Sequence, residues 1–166
     1  TFTPPSPFPE GEVTMSLISA SDIYGNLLQE VIIDSFTVDL SKPVAFSPHP
    51  GNGSSISVMQ PDISVMITDT VGYIEPDSIR LTVQEITYSL DGTILSWNAS
   101  DSTLTFSSSL AGITFADGDI INVSITAYDH IDYGFPHPLG IQPYEWSFII
   151  NTGGPASQLV FPTNQA

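Results

Sequence analysis

Apolar and polar residues alternate along several short segments, and this two-residue period limits the fold more than any other feature. The alternation runs through residues 63–68, 79–84 and 121–127. Successive side chains of a strand point to opposite faces of a sheet, so the pattern predicts half-buried β-strands. Helical periodicity is nearly absent. Further strands are predicted at 13–20, 31–38, 86–90, 93–97, 103–106 and 144–150.

Turn residues separate these predicted strands at short intervals. Asp91-Gly92 is a strong hairpin signal, and residues 98–101 form a longer polar turn. Roughly seven strands with frequent turns are typical of a two-sheet sandwich. We therefore predict an all-β fold with antiparallel Greek-key strands.

The chain also contains an internal repeat, and tandem similarity of this kind indicates a repeated unit. Three pairs of segments match in the same order: 8–12 with 115–119, 20–22 with 127–129, and 36–39 with 148–151. The spacing widens between the last two pairs, which indicates an insertion around 133–142. The unit is about 110 residues long, close to the ~100 residues of a small β-sandwich.

The repeat divides the chain into three predicted parts. Residues 1–42 correspond to the C-terminal half of one unit, and residues 43–154 to a complete unit. Residues 155–166 correspond to the first strand of a following unit, or to a strand donated to another subunit.

Charge and cysteine content exclude several functions. The chain has 18 Asp+Glu but only two basic residues, Lys42 and Arg80, for a net charge of −16. Nucleic-acid and anionic-membrane binding need clustered Lys and Arg, so we expect neither partner. No cysteine is present, which excludes disulfides and thiolate chemistry and favours a prokaryotic origin. No apolar run is long enough for membrane insertion.

Several segments resemble the immunoglobulin-like repeats of bacterial surface proteins. Residues 67–83 (Ile-Thr-Asp-Thr-Val-Gly-Tyr-Ile-Glu-Pro-Asp-Ser-Ile-Arg-Leu-Thr-Val) resemble the front half of such a repeat. Residues 103–106, 117–119 and 127–129 resemble the back half, and 146–151 the closing strand and linker. The resemblance implies an extracellular or cell-surface location in a prokaryote. It also implies a stalk, spacer or surface assembly without catalytic residues.

The histidines offer little support for an enzyme. His49 lies in a Ser-Pro-His-Pro segment, and His130 and His137 share one predicted loop with Asp129 and Asp132. A transition-metal or acid–base site in that loop is one interpretation, and an exposed polar turn is the other. No Gly-x-Ser-x-Gly, His-Glu-x-x-His or phosphate-binding loop is present, so we predict no catalysis.

Acidic residues at predicted strand ends make calcium the stronger site hypothesis. Calcium prefers several carboxylate and carbonyl oxygens, often supplied by loops. The two basic side chains cannot offset so many carboxylates. The alternative is that these residues are solvated turn formers, since Asp bonds its own backbone in turns. The predicted calcium ligands are Asp22, Asp39, Asp69, Asp129 and Asp132.

A half-sandwich at residues 1–42 would expose a sheet face and unpaired edges. Either it belongs to a longer tandem array, or a neighbouring copy completes it by β-strand complementation. Head-to-tail contacts of that kind do not close and generate filaments. The sequence therefore predicts a structural stalk, fibre or filament whose partners are copies of itself.

Two other functions remain open at this stage. One is an adhesin or carbohydrate-binding module that contacts surface glycans through aromatic residues near the insertion: Tyr133, Phe135, Tyr144 and Trp146. Core packing is the alternative for Tyr144 and Trp146. The other function is an accessory domain of a secreted hydrolase. Candidate N-glycosylation sites follow the Asn-x-Ser pattern at Asn52, Asn98 and Asn122.

Overall fold

The computed structural model describes residues 3–130 and 143–154, and within them the fold is all-β. These residues contain no α-helix, and so no helix long and apolar enough to cross a membrane. A single 3-10 turn spans Pro76–Ser78. The strands are β1 Gly11–Leu17, β2 Ile32–Val38, β3 Val44–His49, β4 Ser55–Ile56, β5 Asp62–Thr68, β6 Arg80–Val83, β7 Ile86–Ser89, β8 Leu95–Asn98, β9 Thr103–Ser107, β10 Ile120–Thr126 and β11 Tyr144–Ile150.

The strands form three sheets. β1 and β2 make a separate two-stranded hairpin. The remaining strands form a four-stranded sheet in the order β3-β5-β9-β8 and a five-stranded sheet in the order β4-β11-β10-β6-β7. All pairs are antiparallel except the short β4–β11 pair, which is parallel. The two larger sheets share one core, so the predicted all-β sandwich is confirmed.

The core consists of the inward residues of the alternating segments. Ile63, Val65 and Ile67 of β5 are at most 1% exposed. Phe106 and Phe148 are the largest fully buried side chains. Burial of such a side chain contributes roughly 1.5–3 kcal/mol, so this interface between the sheets dominates the stability of the sandwich.

The Asp91-Gly92 turn does not form the predicted hairpin. It follows β7 in the five-stranded sheet and precedes β8 in the four-stranded sheet, so it carries the chain between the sheets. On either side of this turn, consecutive strands form the hairpins β6–β7, connected by Gln84 and Glu85, and β8–β9, connected by 99–102. Gln84 and Glu85 both have positive φ, at 48° and 69°, although neither is a glycine.

The hairpins β1–β2 and β10–β11 contain the segments that the predicted repeat matches with each other. Phe36 pairs with Val13, and Phe148 pairs with Ile121. The sequence match aligns Val13 with Ile120. The strand pairing instead aligns Val13 with Ile121, one residue further along the chain. A shift of one residue exchanges the two faces of a strand. Matched by pairing, Val13, Met15 and Leu17 correspond to the inward Ile121, Val123 and Ile125.

The predicted domain boundaries can be placed on this fold. The hairpin lies within residues 1–42, and the other nine described strands lie within 43–154. The predicted opening strand at 155–166 and the predicted insertion around 133–142 lie outside the described residues.

Candidate metal site

Three aspartates from three different sheets converge at one end of the sandwich. Asp39 follows β2 of the hairpin, Asp69 follows β5, and Asp129 lies shortly after β10. One carboxylate oxygen from each residue lies within 4.8 Å of the other two. The cluster therefore connects the hairpin to both sheets of the sandwich.

Local turns orient two of these carboxylates. Asp39 Oδ1 accepts a hydrogen bond from the backbone N–H of Ser41 at 3.1 Å. Asp69 Oδ1 accepts one from the N–H of Val71 at 3.0 Å. Aspartate commonly closes a turn in this way, by accepting a hydrogen bond from the N–H of the residue two positions later in the chain. Each carboxylate thus uses Oδ1 in its own turn and keeps Oδ2 for another contact.

The carboxylates of Asp39 and Asp69 have too few hydrogen-bond donors. Ser41 Oγ lies 3.0 Å from Asp39 Oδ1 and 2.9 Å from Asp69 Oδ1. A hydroxyl has one proton, so it can donate to only one of them at a time. Oδ2 of Asp39 and Oδ2 of Asp69 are both buried and have no hydrogen-bond partner among residues 3–130 and 143–154. A buried acceptor without a partner is destabilising, more so when it is charged.

Asp129 is fully buried, with 0% of its surface exposed. It forms an isolated antiparallel bridge with Ile74. Backbone hydrogen bonds on both sides of this bridge, from Glu75 N to Tyr128 O and from His130 N to Tyr73 O, are each 2.9 Å long. These bonds fix the position of the Asp129 backbone beside the loop that follows Asp69.

Gly72 lies directly against the cluster. Its φ is +96°, in a region that favours glycine. A Cβ added there would lie 2.9 Å from Asp39 Oδ2 and 3.8 Å from the carbonyl oxygen of His130. A side chain at this position would therefore occupy the space beside the unpartnered Asp39 oxygen. Nothing in the sequence marks Gly72 or Ser41 as part of a site.

The cluster concentrates negative charge in a chain with almost no basic residues. At a separation of 4.8 Å, two like charges repel by about 3 kcal/mol at an effective dielectric constant of about 20. No Lys or Arg forms an ion pair with Asp39 or Asp69 within the described part of the chain. Arg80 donates to the carbonyl oxygens of Asp77 and Ile79. A divalent cation among the three carboxylates would offset this repulsion.

The donor set fits calcium chemistry. Calcium takes six to eight oxygen ligands in flexible geometry, and carboxylates, backbone carbonyls and water all serve. Three carboxylates supply part of this set. Sulfur and imidazole ligands, which zinc and copper prefer, do not occur among the three clustered residues.

His130 does not extend the cluster in the predicted way. Its Nδ1 lies 2.6 Å from Glu75 Oε2, and its ring stacks on Tyr73 with the centroids 4.7 Å apart. The predicted loop partners His137 and Asp132 lie outside the described residues. No sequence signal marks Glu75 as the partner of His130. His49 is exposed at the end of β3.

Asp22 lies outside the cluster. It is exposed, and its carboxylate accepts hydrogen bonds from Asn26 Nδ2 at 2.7 Å and from the N–H groups of Tyr24 and Asn26. The Asn26 side-chain bond is the largest cause that lowers the pKa of Asp22. Asp22 therefore behaves as the turn former that was the alternative to a calcium ligand.

The three candidate glycosylation residues are all exposed: Asn52, Asn98 and Asn122. Asn98 Nδ2 donates to Asp101 in the β8–β9 turn. Asn52 and Asn122 line an open groove of about 480 Å³ on the outer face of the five-stranded sheet.

The candidate sugar-stacking aromatics are only partly described. Trp146 is 4% exposed and belongs to the core. Tyr144 is half-buried and packs against it, with ring centroids 5.8 Å apart. Both rings thus pack with the core, which was the alternative interpretation of these two residues. Tyr133 and Phe135 lie outside the described residues.

Comparisons with known proteins give little for this chain. No family model matches it, and no curated protein matches it. Among solved structures, it is similar to the endo-β-1,4-mannanase from Thermotoga petrophila, with a TM-score of 0.44 and 11% identity. The match covers 69% of this chain and 21% of the mannanase chain.

Proposed function

We propose that this chain is a structural, non-catalytic repeat protein whose hairpin and sandwich are clamped together by a bound Ca²⁺. The observation that carries the proposal is the convergence of Asp39, Asp69 and Asp129 from three sheets. The buried, unpartnered Oδ2 atoms of Asp39 and Asp69 support it, because a cation would complete their coordination.

The strand order supports an immunoglobulin-like unit at residues 43–154. In the lettering of that fold, β3, β5, β9 and β8 take the places of strands A, B, E and D. The neighbours β11, β10, β6 and β7 take the places of G, F, C and C′. The unit departs from the antibody pattern because it has no disulfide and its buried tryptophan, Trp146, lies on the last strand.

A cation at this position would stiffen the connection between successive units. Asp39 lies at the end of the hairpin, and Asp69 and Asp129 lie on the sandwich, so a shared ion resists relative motion of the two parts. Stiff junctions suit an extended stalk or fibre at a cell surface. Extracellular calcium modules typically bind with dissociation constants of about 10⁻⁴–10⁻³ M, and we expect this range.

Thermal melting of the full chain with and without calcium tests the proposal. At a calcium concentration of 100 times Kd, binding stabilises the folded state by about 2.7 kcal/mol. For a chain of this size, that corresponds to a rise in Tm of about 5–10 °C relative to chelator. The same concentration of Mg²⁺ should give a smaller shift, because Mg²⁺ demands strict octahedral geometry.

Two matched variants locate the site. Asp69→Asn keeps the amide oxygen that closes the turn to Val71 but removes the charge, so it should abolish most of the calcium shift. Asp22→Asn makes the same change outside the cluster and should retain the full shift. A wild-type chain whose Tm is unchanged by calcium, or equal losses in the two variants, would overturn the proposal.

A further inference from the structure

The outer face of the five-stranded sheet carries polar side chains in register across three neighbouring strands. Glu145 of β11 is paired with Ser124 of β10, and Ser124 is paired with Thr82 of β6. Two residues further along β11, Ser147 is paired with Asn122 of β10. All five residues line the open groove of about 480 Å³, a volume within the range of roughly 300–1,000 Å³ that is usual for ligand sites. The groove therefore combines the size of a ligand site with a polar floor.

Two further polar residues, Asn52 and Glu85, line opposite sides of this groove. Asn52 lies beside β11, because its Oδ1 accepts the backbone N–H of Ser147 at 3.1 Å. Glu85 lies in the turn that follows β6. Since β10 lies between β11 and β6, these two residues are separated by the width of the groove.

The backbone of the β6–β7 turn is unfavourable at the edge of the groove. Gln84 and Glu85 have φ of 48° and 69°, in a region that favours glycine. A second cavity of about 470 Å³ is lined by Gln84, Glu85 and Asn122, so it adjoins the groove. Sparsely populated backbone conformations cluster at functional sites. The turn therefore supports a binding role for this part of the sheet.

The polar groups of the groove are available to a ligand. Within residues 3–130 and 143–154, the side chains of Glu85, Asn122, Ser124 and Glu145 form no hydrogen bond or ion pair. Amides and hydroxyls both donate and accept hydrogen bonds, whereas ionised carboxylates only accept them. A ligand rich in hydroxyl groups matches this set of donors and acceptors.

The charge of the groove favours a cationic ligand. Glu85 and Glu145 supply two carboxylates, and neither Lys42 nor Arg80 lines the groove. The net charge of −16 adds to this negative field, so phosphates and acidic sugars are repelled. Two strand spacings of about 4.8 Å each separate β11 from β6. Positive charges spaced along an extended ligand match this separation better than a single ion does.

Aromatic surface contributes little to the groove. Trp146 is the aromatic residue in its lining, and this side chain is 4% exposed because it belongs to the core. Affinity must therefore come from hydrogen bonds and charge, and not from stacking. This distinction favours a charged sugar over a neutral one.

We propose that this groove binds a linear carbohydrate with free amino groups, such as an oligomer of glucosamine. Its ammonium groups bind Glu85 and Glu145 through charge-assisted hydrogen bonds, and its hydroxyls bind Asn122 and the neighbouring serines. The site is distinct from the aspartate cluster and does not depend on bound calcium. Because the groove is open, we expect weak binding that weakens further as salt screens the charges.

An NMR titration of the isotope-labelled full chain, run in calcium and again in chelator, measures the dissociation constant. The probe is a glucosamine tetramer. The N-acetylated tetramer has the same length but no positive charge, and it should bind at least about tenfold more weakly. Spermine carries positive charges without hydroxyl groups, so it separates general charge attraction from recognition of a carbohydrate.

Matched double variants locate the site. Glu85→Gln combined with Glu145→Gln should weaken binding of the glucosamine tetramer about tenfold, at about threefold for each exposed charge pair. Glu12→Gln combined with Glu30→Gln makes the same change in net charge at exposed positions outside the groove, and should leave the constant within about twofold. Asn122→Ala should weaken binding of the glucosamine tetramer at least about threefold and leave that of spermine unchanged.

These measurements separate the outcomes. Saturable binding with this order of probes and variants, in either buffer, supports the proposal. Absence of saturable binding by the glucosamine tetramer overturns it. Equal binding of the N-acetylated tetramer indicates a site for neutral sugars and overturns the assigned ligand class. Equal losses in the two double variants, or no effect of Asn122→Ala, indicate general attraction of cations to an acidic protein and also overturn it. The calcium response of Tm tests the proposed function alone.

Discussion

Replacement of Gly72 by alanine should remove the calcium response, whereas the same replacement at Gly118 should not. The two glycines have similar backbone strain, with φ of +96° and +88°. Each Gly→Ala change therefore costs about 1–2 kcal/mol from the unfavourable φ. Only Gly72 has a neighbour in the way: its added Cβ would lie 2.9 Å from Asp39 Oδ2, while nothing lies within 4 Å at Gly118.

The extra cost at Gly72 follows from how Asp39 is held. If the Asp39 carboxylate turns away to relieve the contact, its Oδ1 leaves the N–H and hydroxyl of Ser41. Hydrogen bonds to charged groups contribute about 1.5–3 kcal/mol each. We expect Gly72→Ala to be about 2 kcal/mol less stable than Gly118→Ala, a difference within this range.

Calcium makes the comparison sharper. At 100 times Kd, Gly118→Ala should retain the stabilisation of about 2.7 kcal/mol, and Gly72→Ala should retain almost none. Urea unfolding followed by the fluorescence of Trp97 and Trp146, in chelator and in calcium, measures both quantities. Equal stabilities in chelator together with equal calcium shifts would refute the reasoning, because the carboxylate of Asp39 would then not lie against Gly72.

Three further predictions concern the sandwich itself. Glu85→Gly should stabilise the sandwich by about 0.5–1 kcal/mol in urea unfolding, because the relief of positive φ exceeds the entropy that glycine adds to the unfolded chain. Glu85→Ala keeps the strain and should not stabilise the sandwich. Phe148→Ala should cost about 3–5 kcal/mol, whereas Ile120→Ala on the exposed face should cost less than about 1 kcal/mol by the same measurement. Asp117 accepts hydrogen bonds from Thr152, chiefly from its backbone N–H, and these lower the pKa of Asp117 below 3.8. Its contribution is therefore complete above the unfolded value and lost as pH falls through the lower folded value, so Asp117→Asn should flatten the fall of the urea midpoint as the pH drops below the unfolded value of 3.8.

The alternating segments were predictable from sequence because a buried face demands a strict period of two. The predicted segment 63–68 corresponds to β5, and 121–127 corresponds to β10 with a shift of one residue. Their apolar residues lie in the core, as the alternation indicates. Local pattern is sufficient here, because the face that is buried is encoded within each strand.

The pairing of strands was less predictable because a turn signal does not specify the sheet that the next strand joins. Asp91 accepts backbone hydrogen bonds from Thr93 and Leu95, so the turn itself is real. Only its role as a hairpin was wrong. The observed hairpin turn at Gln84-Glu85 has no glycine or asparagine signature. The Gln84 side chain bonds the backbone of Ile120 and Asn122 on β10, and this tertiary contact holds the unfavourable turn in place.

The same limit applies to the one-residue shift of the repeat. The turn motif at 8–12 aligns by residue type with its match at 115–119. However, one residue separates Gly11 from Val13, whereas two residues separate Gly118 from Ile121. Strand pairing, and not the turn, determines which side chains share a face. The apolar face of the hairpin becomes apparent only when the register with β2 is known.

The candidate site was predictable in part from local sequence and depended in part on how the strands pair. Strand-end position selected Asp39, Asp69 and Asp129 from the sequence, but the same criterion also selected Asp22, which closes its own turn. Which carboxylates meet depends on which strand ends share one edge of the fold, and that follows from the sheet order. Ser41 and Gly72 carry no charge, so a search for acidic ligands at strand ends does not select them. Their roles arise from the close approach of two loops.

Scarcity of basic residues gives this convergence its significance. In a chain of ordinary composition, three clustered aspartates would commonly be neutralised by a neighbouring lysine or arginine. Here Arg80 is engaged by backbone carbonyls, and Lys42 forms no ion pair with Asp39 or Asp69 in the described residues. We therefore expect a cation from solution to offset the charge of these two carboxylates. A stalk or fibre built this way would be stiff in a calcium-rich exterior and would loosen wherever calcium is removed.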